Sequence, residues 1–163
     1  MSDLSHVNRA GEASMVDVST KPATARMARA EGRIQMSGDA LRAIRDNTLA
    51  KGDVLAVARV AGIQAAKRTA ELIPLCHPLP LTDVQVRFAL DESLPGVRCE
   101  AEARTVAGTG VEMEAVTAVA VALLTVYDMA KSVDKAMRVD GVRLLEKRGG
   151  KSGVWQVPTD DAR

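Results

Sequence analysis

The feature that most constrains this chain is an apolar run from Ala115 to Tyr127, 13 residues without a charge. It lies in a stretch that reads as one long helix, Glu112 to Met137, with apolar residues on every side of its middle. A membrane span needs about 20 such residues, so the run is read as a helix buried inside a folded domain. A helix apolar all round must be covered all round. One small sheet covers a single side, so an interface between subunits is expected as well. The composition points the same way. The 163 residues give room for about one domain. Alanine supplies 26 of them, and Phe88, Tyr127 and Trp155 are the only aromatics. Small side chains bury little area each, so stability has to come from close helix approach, β-branched packing and subunit association.

The rest of the pattern surrounds that helix. Thr24 to Met36 alternates loosely and predicts a strand. Ser37 is a plausible N-cap for a short helix ending near Lys51-Gly52, and Asp53 caps a second helix that must stop by Ile73, before Pro74. Pro74, Pro78 and Pro80 make a stiff extended connector. Leu81–Leu90 and Val97–Ala107 alternate about the turn Asp91–Gly96 and predict an antiparallel hairpin. Val142–Lys147 reads as a last strand, and Met15–Val18 as a short one. The order predicts an α+β, ferredoxin-like split βαβ fold: a four-stranded antiparallel sheet with two long helices on one face, plus a short extra helix. Residues 1–13 read as a flexible arm, 14–153 as a single domain, and 154–163 as a C-terminal tail.

Charge and cysteine content exclude several function classes. With 22 Lys+Arg against 21 Asp+Glu, the chain lacks the footprint of a nucleic-acid binder, and three aromatics leave almost no platform for stacking bases. No basic segment followed by an apolar one opens the chain, so no export signal is read. Cys76 and Cys99 are then expected to be reduced thiols in the cytoplasm. Gly149-Gly150-Lys151-Ser152-Gly153 is not a P-loop, because Leu145 stands where the first glycine belongs and no helix follows. Nor is Gly108-Thr109-Gly110 a dinucleotide fingerprint, since Met113 occupies the third glycine position.

Four sets of residues could carry chemistry. Asp128 and Lys131 are three apart on one helix face. Alone they would read as a surface ion pair worth under about 1 kcal/mol, but they close an apolar run that must be covered, which puts them at the mouth of a cleft. Leu75-Cys76-His77-Pro78 fixes a histidine in a proline-braced loop. Adjacent residues in an extended segment diverge, which argues against a Cys–His nucleophile, and two histidines with two distant cysteines do not make a zinc site. Glu112-Met113-Glu114 suits a helix start and also offers acceptors to the donors of a guanine. Lys51, Lys67, Arg68 and Lys131 would suit a polyphosphate if they converge.

Six blocks in order resemble one family: Met15-Val16-Asp17-Val18-Ser19, Lys51-Gly52-Asp53-Val54-Leu55, Ile73-Pro74-Leu75-Cys76-His77-Pro78, Gly110-Val111-Glu112-Met113-Glu114, Tyr127-Asp128-Met129-Ala130-Lys131 and Gly149-Gly150-Lys151-Ser152-Gly153. Over about residues 14–153 the chain is similar to the cyclic pyranopterin monophosphate synthases, the molybdenum cofactor biosynthesis protein C family. The resemblance implies a lyase that converts 3′,8-cyclo-7,8-dihydro-GTP to cyclic pyranopterin monophosphate and releases diphosphate. It implies Asp128 as the active-site acid, with Lys51 and Lys131 as acid/base partners. Leu75, Cys76, His77, Glu112, Met113 and Glu114 would line the substrate pocket, with Lys67, Lys21 and Arg26 toward the phosphates. It further implies a cytoplasmic homohexamer, a trimer of dimers with sites at dimer interfaces. No resident cofactor or metal is implied, although a divalent cation can accompany the triphosphate, and neither nucleic acid nor membrane is a partner. Lys131, beside Asp128, is expected to stay protonated. Lys51, with no acid at helical spacing, is expected to be the general base. The competing expectation is a non-catalytic oligomer that binds a nucleotide or pterin and regulates a partner.

Overall fold

A computed structural model describes residues 11–158. Five strands form one antiparallel sheet. β1 (Thr24–Gln35), β2 (Leu81–Asp91), β3 (Gly96–Ala107), β4 (Arg138–Arg148) and β5 (Val154–Gln156) stand in the order β2-β3-β1-β4-β5. The helices are α1 (Gly38–Arg45), α2 (Val54–Lys67), α3 (Thr69–Leu72) and α4 (Glu112–Ala130). Without β5 the order β4-β1-β3-β2 is the expected split βαβ arrangement, so the α+β fold class stands and the sheet gains a fifth strand. That strand comes from the segment expected to be tail. Val154–Gln156 pairs with Glu146–Arg148, a match of three residues that is too short for periodicity to reveal.

Alternation decides which face of the sheet is covered. On β1, Ala28, Ala30 and Ile34 are fully buried, while Arg29, Glu31 and Arg33 lie on the opposite face. α4 packs on β1, β3 and β4, and α2 packs on α4 and β2. The two helices approach closely because their contact is built from small residues. α2 buries Ala58, Gly62, Ala65 and Ala66, and α4 buries Ala115, Ala118 and Ala122. α4 is long and apolar enough to cross a membrane by composition alone, but 56% of its apolar window is covered within this one chain. It is the core helix that its sequence predicts.

Several boundaries differ from those expected, each for a local reason. α4 stops at Ala130 rather than Met137. The carboxylate of Asp134 accepts from Ala136 N–H (2.8 Å) and from Ser37 N–H (2.7 Å), turning the chain toward α1. α1 ends at Arg45, where Asn47 adopts a positive φ of 53°. Met15–Val18 makes no strand; Ala13 alone forms a bridge. The expected caps are in place, with Ser37 Oγ accepting from Ala40 N–H and Asp53 Oδ1 from Ala56 N–H. Residues 1–10 of the expected arm and 159–163 of the expected tail lie outside the described residues. Cys99 is buried, and burial pushes its thiol up to about 12, which makes it an inert core residue.

Candidate functional site

The predicted residues assemble at opposite ends of α4. At its C-terminal end Asp128 stands between two lysines. Lys131, the C-cap of the same helix, donates to Asp128 Oδ1 at 2.7 Å. Lys51 donates to Oδ2 at 2.7 Å and to the Asp128 carbonyl at 3.0 Å. Lys51 is delivered by the turn ahead of α2, where Gly52 takes a φ of +85° and its N–H bonds Leu49 O. A carboxylate in the last turn of a helix opposes the macrodipole, and the two ammonium groups offset that. Together they hold the Asp128 carboxyl down to about 2, Lys131 contributing most, and Asp128 in turn raises Lys131. All three side chains are about half exposed.

This corrects one expectation. Lys51 was assigned the general base because no acid lies at helical spacing from it. Its acid is Asp128, brought across the fold from 77 residues away, so that ground for telling the two lysines apart is gone.

The N-terminal end of α4 carries a cavity of about 540 Å³. The 73–79 loop supplies Leu75, Cys76 and His77, and the start of α4 supplies Glu112, Met113 and Glu114. Lys21 lies on the rim. The structure therefore brings together seven of the predicted residues. It adds walls that were not predicted individually: Val16, Val18, Ile73, Leu79, Thr109 and Gly110. Val16 and Val18 belong to the first block of the resemblance, which was the one signal for them. The Val16 carbonyl meets His77 Nε2 at 2.7 Å. A carbonyl only accepts, so Nε2 carries the proton in this contact. Glu112 is tied to Lys147 of β4 at 3.0 Å. Glu114 is 4% exposed, and that burial, with the nearby Glu112 charge, pushes its carboxyl up to about 6. Burial and the Glu114 charge also raise the Cys76 thiol, so it is a lining group rather than a ready thiolate.

Lys67 lies in an adjoining cavity of about 320 Å³ that shares His77, Leu79 and Glu114 with the first. Arg68, singled out as a cation but not assigned a place, is in the same cavity. Arg26 lines neither; its guanidinium packs on Gly150. A still larger cavity of about 740 Å³, on the outer face of the sheet, contains none of the predicted residues. Its charges are largely satisfied by one another, as in Arg143–Glu31 and Arg87–Glu100, so size does not make it the better candidate. Among the described residues no group of three or more His, Cys, Asp or Glu side chains is placed to hold a metal ion.

The profile of the MoaC family matches residues 15–150. The chain belongs to the MoaC family. It is 57% identical over 163 residues to a cyclic pyranopterin monophosphate synthase of Thermomicrobium roseum, covering all of this chain and 98% of that protein. A protein of the same name from Methylobacterium sp. strain 4-46 is 60% identical over 155 residues, 95% of this chain and 97% of its own length. One from Cereibacter sphaeroides is 58% identical over 157 residues, 96% of this chain and 99% of its own. Matches of this length include both ends of α4, so the family likeness covers the Asp128 trio and the cavity together.

Proposed function

We propose that this MoaC-family chain is a cyclic pyranopterin monophosphate synthase, a lyase of molybdenum cofactor biosynthesis. It converts 3′,8-cyclo-7,8-dihydro-GTP to cyclic pyranopterin monophosphate with release of diphosphate. The observation that carries the reading is the carboxylate bracketed by two lysines, in a chain that also holds a half-polar cavity with buried acceptors. The rearrangement opens a purine ring, closes a pyran and forms a cyclic phosphate. Each part needs protons moved between fixed positions, and loss of diphosphate needs cations near the departing oxygens. Glu114, able to be neutral or ionised near neutrality, suits the amino and imino donors of the guanine-derived ring. Lys67, Lys21 and Arg26 suit the phosphates. Asp128 with its two ammonium partners is too weak a base as it stands. It gains basicity when substrate draws one lysine away, which couples proton abstraction to substrate binding.

Within one chain these groups cannot meet. Residues 112 and 128 lie about 24 Å apart along α4 at about 1.5 Å per residue, farther than a purine and its ribose span. Two chains solve this if Asp128, Lys51 and Lys131 of one copy close the cavity of another. An apolar surface is at hand for such an association. Leu124, one turn before Asp128, is 58% exposed, and α2 exposes Val57 and Val60. A dimer repeated three times as a cytoplasmic hexamer fits this reading. A resident cofactor is not needed, and a divalent cation would arrive with the substrate phosphates.

The test generates the cyclised dihydro-GTP in situ, adds the purified chain, and follows diphosphate and the pterin product by mass spectrometry. Both products with the wild type, and neither with Asp128→Ala, are expected. Saturable binding of unaltered substrate without product would instead make the chain a regulatory pterin-binding oligomer.

A further inference from the structure

We infer that Asp134 is a positioning residue for the trio of Lys51, Asp128 and Lys131: it ends α4, and so leaves the Asp128 carbonyl open as the second anchor of Lys51. That Lys51 acts in turnover rests on the synthase reading above; the positioning itself does not.

The first observation is a helix that stops without the usual signal. Lys131 to Met137 contains neither glycine nor proline, the residues that commonly close a helix. Lys131 itself keeps helical dihedrals, φ −61° and ψ −15°. The chain leaves the helix all the same, and a carboxylate takes it out. Asp134 Oδ2 accepts from Ser37 N–H at 2.7 Å, across 97 residues of sequence, and Oδ1 accepts from Ala136 N–H at 2.8 Å. The second bond takes a donor that a continued helix would need, so the side chain competes directly with the helix. Tyr127 Oη donates to Lys135 O at 3.1 Å and holds the same turn from the helix side.

The second observation is what the stop sets free. In a continued helix the Asp128 carbonyl would accept from Ser132 N–H, four residues on. Here the turn bonds elsewhere: Lys131 N–H to Tyr127 O, and the N–H groups of Val133 and Asp134 both to Ala130 O. The Asp128 carbonyl instead takes Lys51 Nζ at 3.0 Å, beside the 2.7 Å bond from Lys51 to Asp128 Oδ2. Lys51 is half-exposed, and a lysine on its flexible stem swings about a single acceptor. Two acceptors on one residue fix its ammonium group. Asp134 thus acts on Lys51 through the Asp128 backbone. It also joins the segments that carry the trio. Ser37 starts α1, and α1 leads to the Lys51 turn through bonds from Asp46 N–H to Arg42 O, Thr48 N–H to Ala43 O and Gly52 N–H to Leu49 O.

The test follows the Asp128 carboxyl titration by carbon NMR in the full chain, with the Cα shifts of residues 131–136 and steady-state turnover. Asp134→Ala is expected to raise the Asp128 titration in the same direction as Lys51→Ala and to move residues 131–136 toward helical shifts. It is expected to lower kcat about ten- to a hundredfold with KM largely kept, the scale of a misplaced catalytic group. The double variant Asp134→Ala with Lys51→Ala is expected to titrate as Lys51→Ala alone, because both act through one lysine. A second pair of variants decides the matter should Asp134→Ala fail to fold. Ser37 has a φ of −67°, which suits proline, so Ser37→Pro deletes the N–H that Asp134 holds. Ser37→Ala deletes the hydroxyl cap alone. Ser37→Pro is expected to shift the Asp128 titration and Ser37→Ala to leave it in place. A wild-type Asp128 titration in folded Asp134→Ala and Ser37→Pro overturns the positioning, even where both melt lower, while product from the wild type still supports the synthase. No product from the wild type, with Asp128 shifted in both variants, overturns the synthase and leaves the positioning.

Discussion

At the scale of single residues, the electrostatics of two carboxylates run in opposite directions. Asp128 is held below its ordinary value by its lysines, Lys131 more than Lys51. Lys131→Ala is therefore expected to raise the Asp128 titration, followed by carboxyl carbon NMR, further than Lys51→Ala does. A depressed acid pKa adds stability above the unfolded value near 4, and that stability is lost as the pH falls through 4 toward 2. Glu114 is the reverse case. Its folded pKa of about 6 lies above the ordinary carboxyl value of 4.5, so ionising it in place costs stability. The cost is absent below about pH 4.5, grows between 4.5 and 6, and is constant above. Glu114→Gln is then expected to stabilise the fold by about 1–2 kcal/mol at pH 8 and by almost nothing at pH 4. Chemical denaturation at the two pH values reads this directly. The same variant is expected to lose substrate affinity, which is the trade typical of a buried binding group.

At the scale of elements, what the sequence makes visible is what neighbours decide. Ser37 and Asp53 are legible as caps because the donors they accept from lie three residues on. The burial of α4 is legible because thirteen residues carry no charge. β5 is not, since three residues show no period and the pairing is with a strand already complete by its own pattern. Nor is the Lys51–Asp128 pair, because no local rule connects a turn before α2 to the end of α4. Gly62 shows the same limit. In sequence it is a helix-weakening glycine inside α2; in the fold it is a close approach of α2 to α4. A Cβ there would meet the Ala118 carbonyl at 2.9 Å, with Ala122 Cβ and Val86 Cγ2 at 3.2 Å. Gly62→Ala gains about 1 kcal/mol of helix propensity, but the obstacle is backbone of the core helix, which cannot turn aside. Overpacking of about 1–3 kcal/mol is expected to win, so the variant should melt lower than the wild type. A higher melting temperature would mean that the two helices slide apart freely.

At the scale of the whole molecule, the length of α4 decides how the site is made. The cavity and the Asp128 trio are each intact within one chain, yet one helix holds them about 24 Å apart. If two copies share the work, a defect at one end of α4 must be curable by a copy defective at the other. In a dimer of Asp128→Ala with Glu114→Gln, one site carries both lesions and the other carries neither. Random reassociation makes half the dimers mixed, so at low substrate, where Glu114→Gln is unsaturated and Asp128→Ala is inactive, about a quarter of wild-type turnover is expected. Subunits mixed without prior dissociation should stay inactive, which separates exchange from contamination. Leu124→Glu, which charges the exposed apolar surface beside Asp128, is expected to lower the assembly state in analytical ultracentrifugation and to abolish this complementation. Full recovery of nothing after complete subunit exchange would place both ends of α4 in separate functions, and the shared site would have to be abandoned.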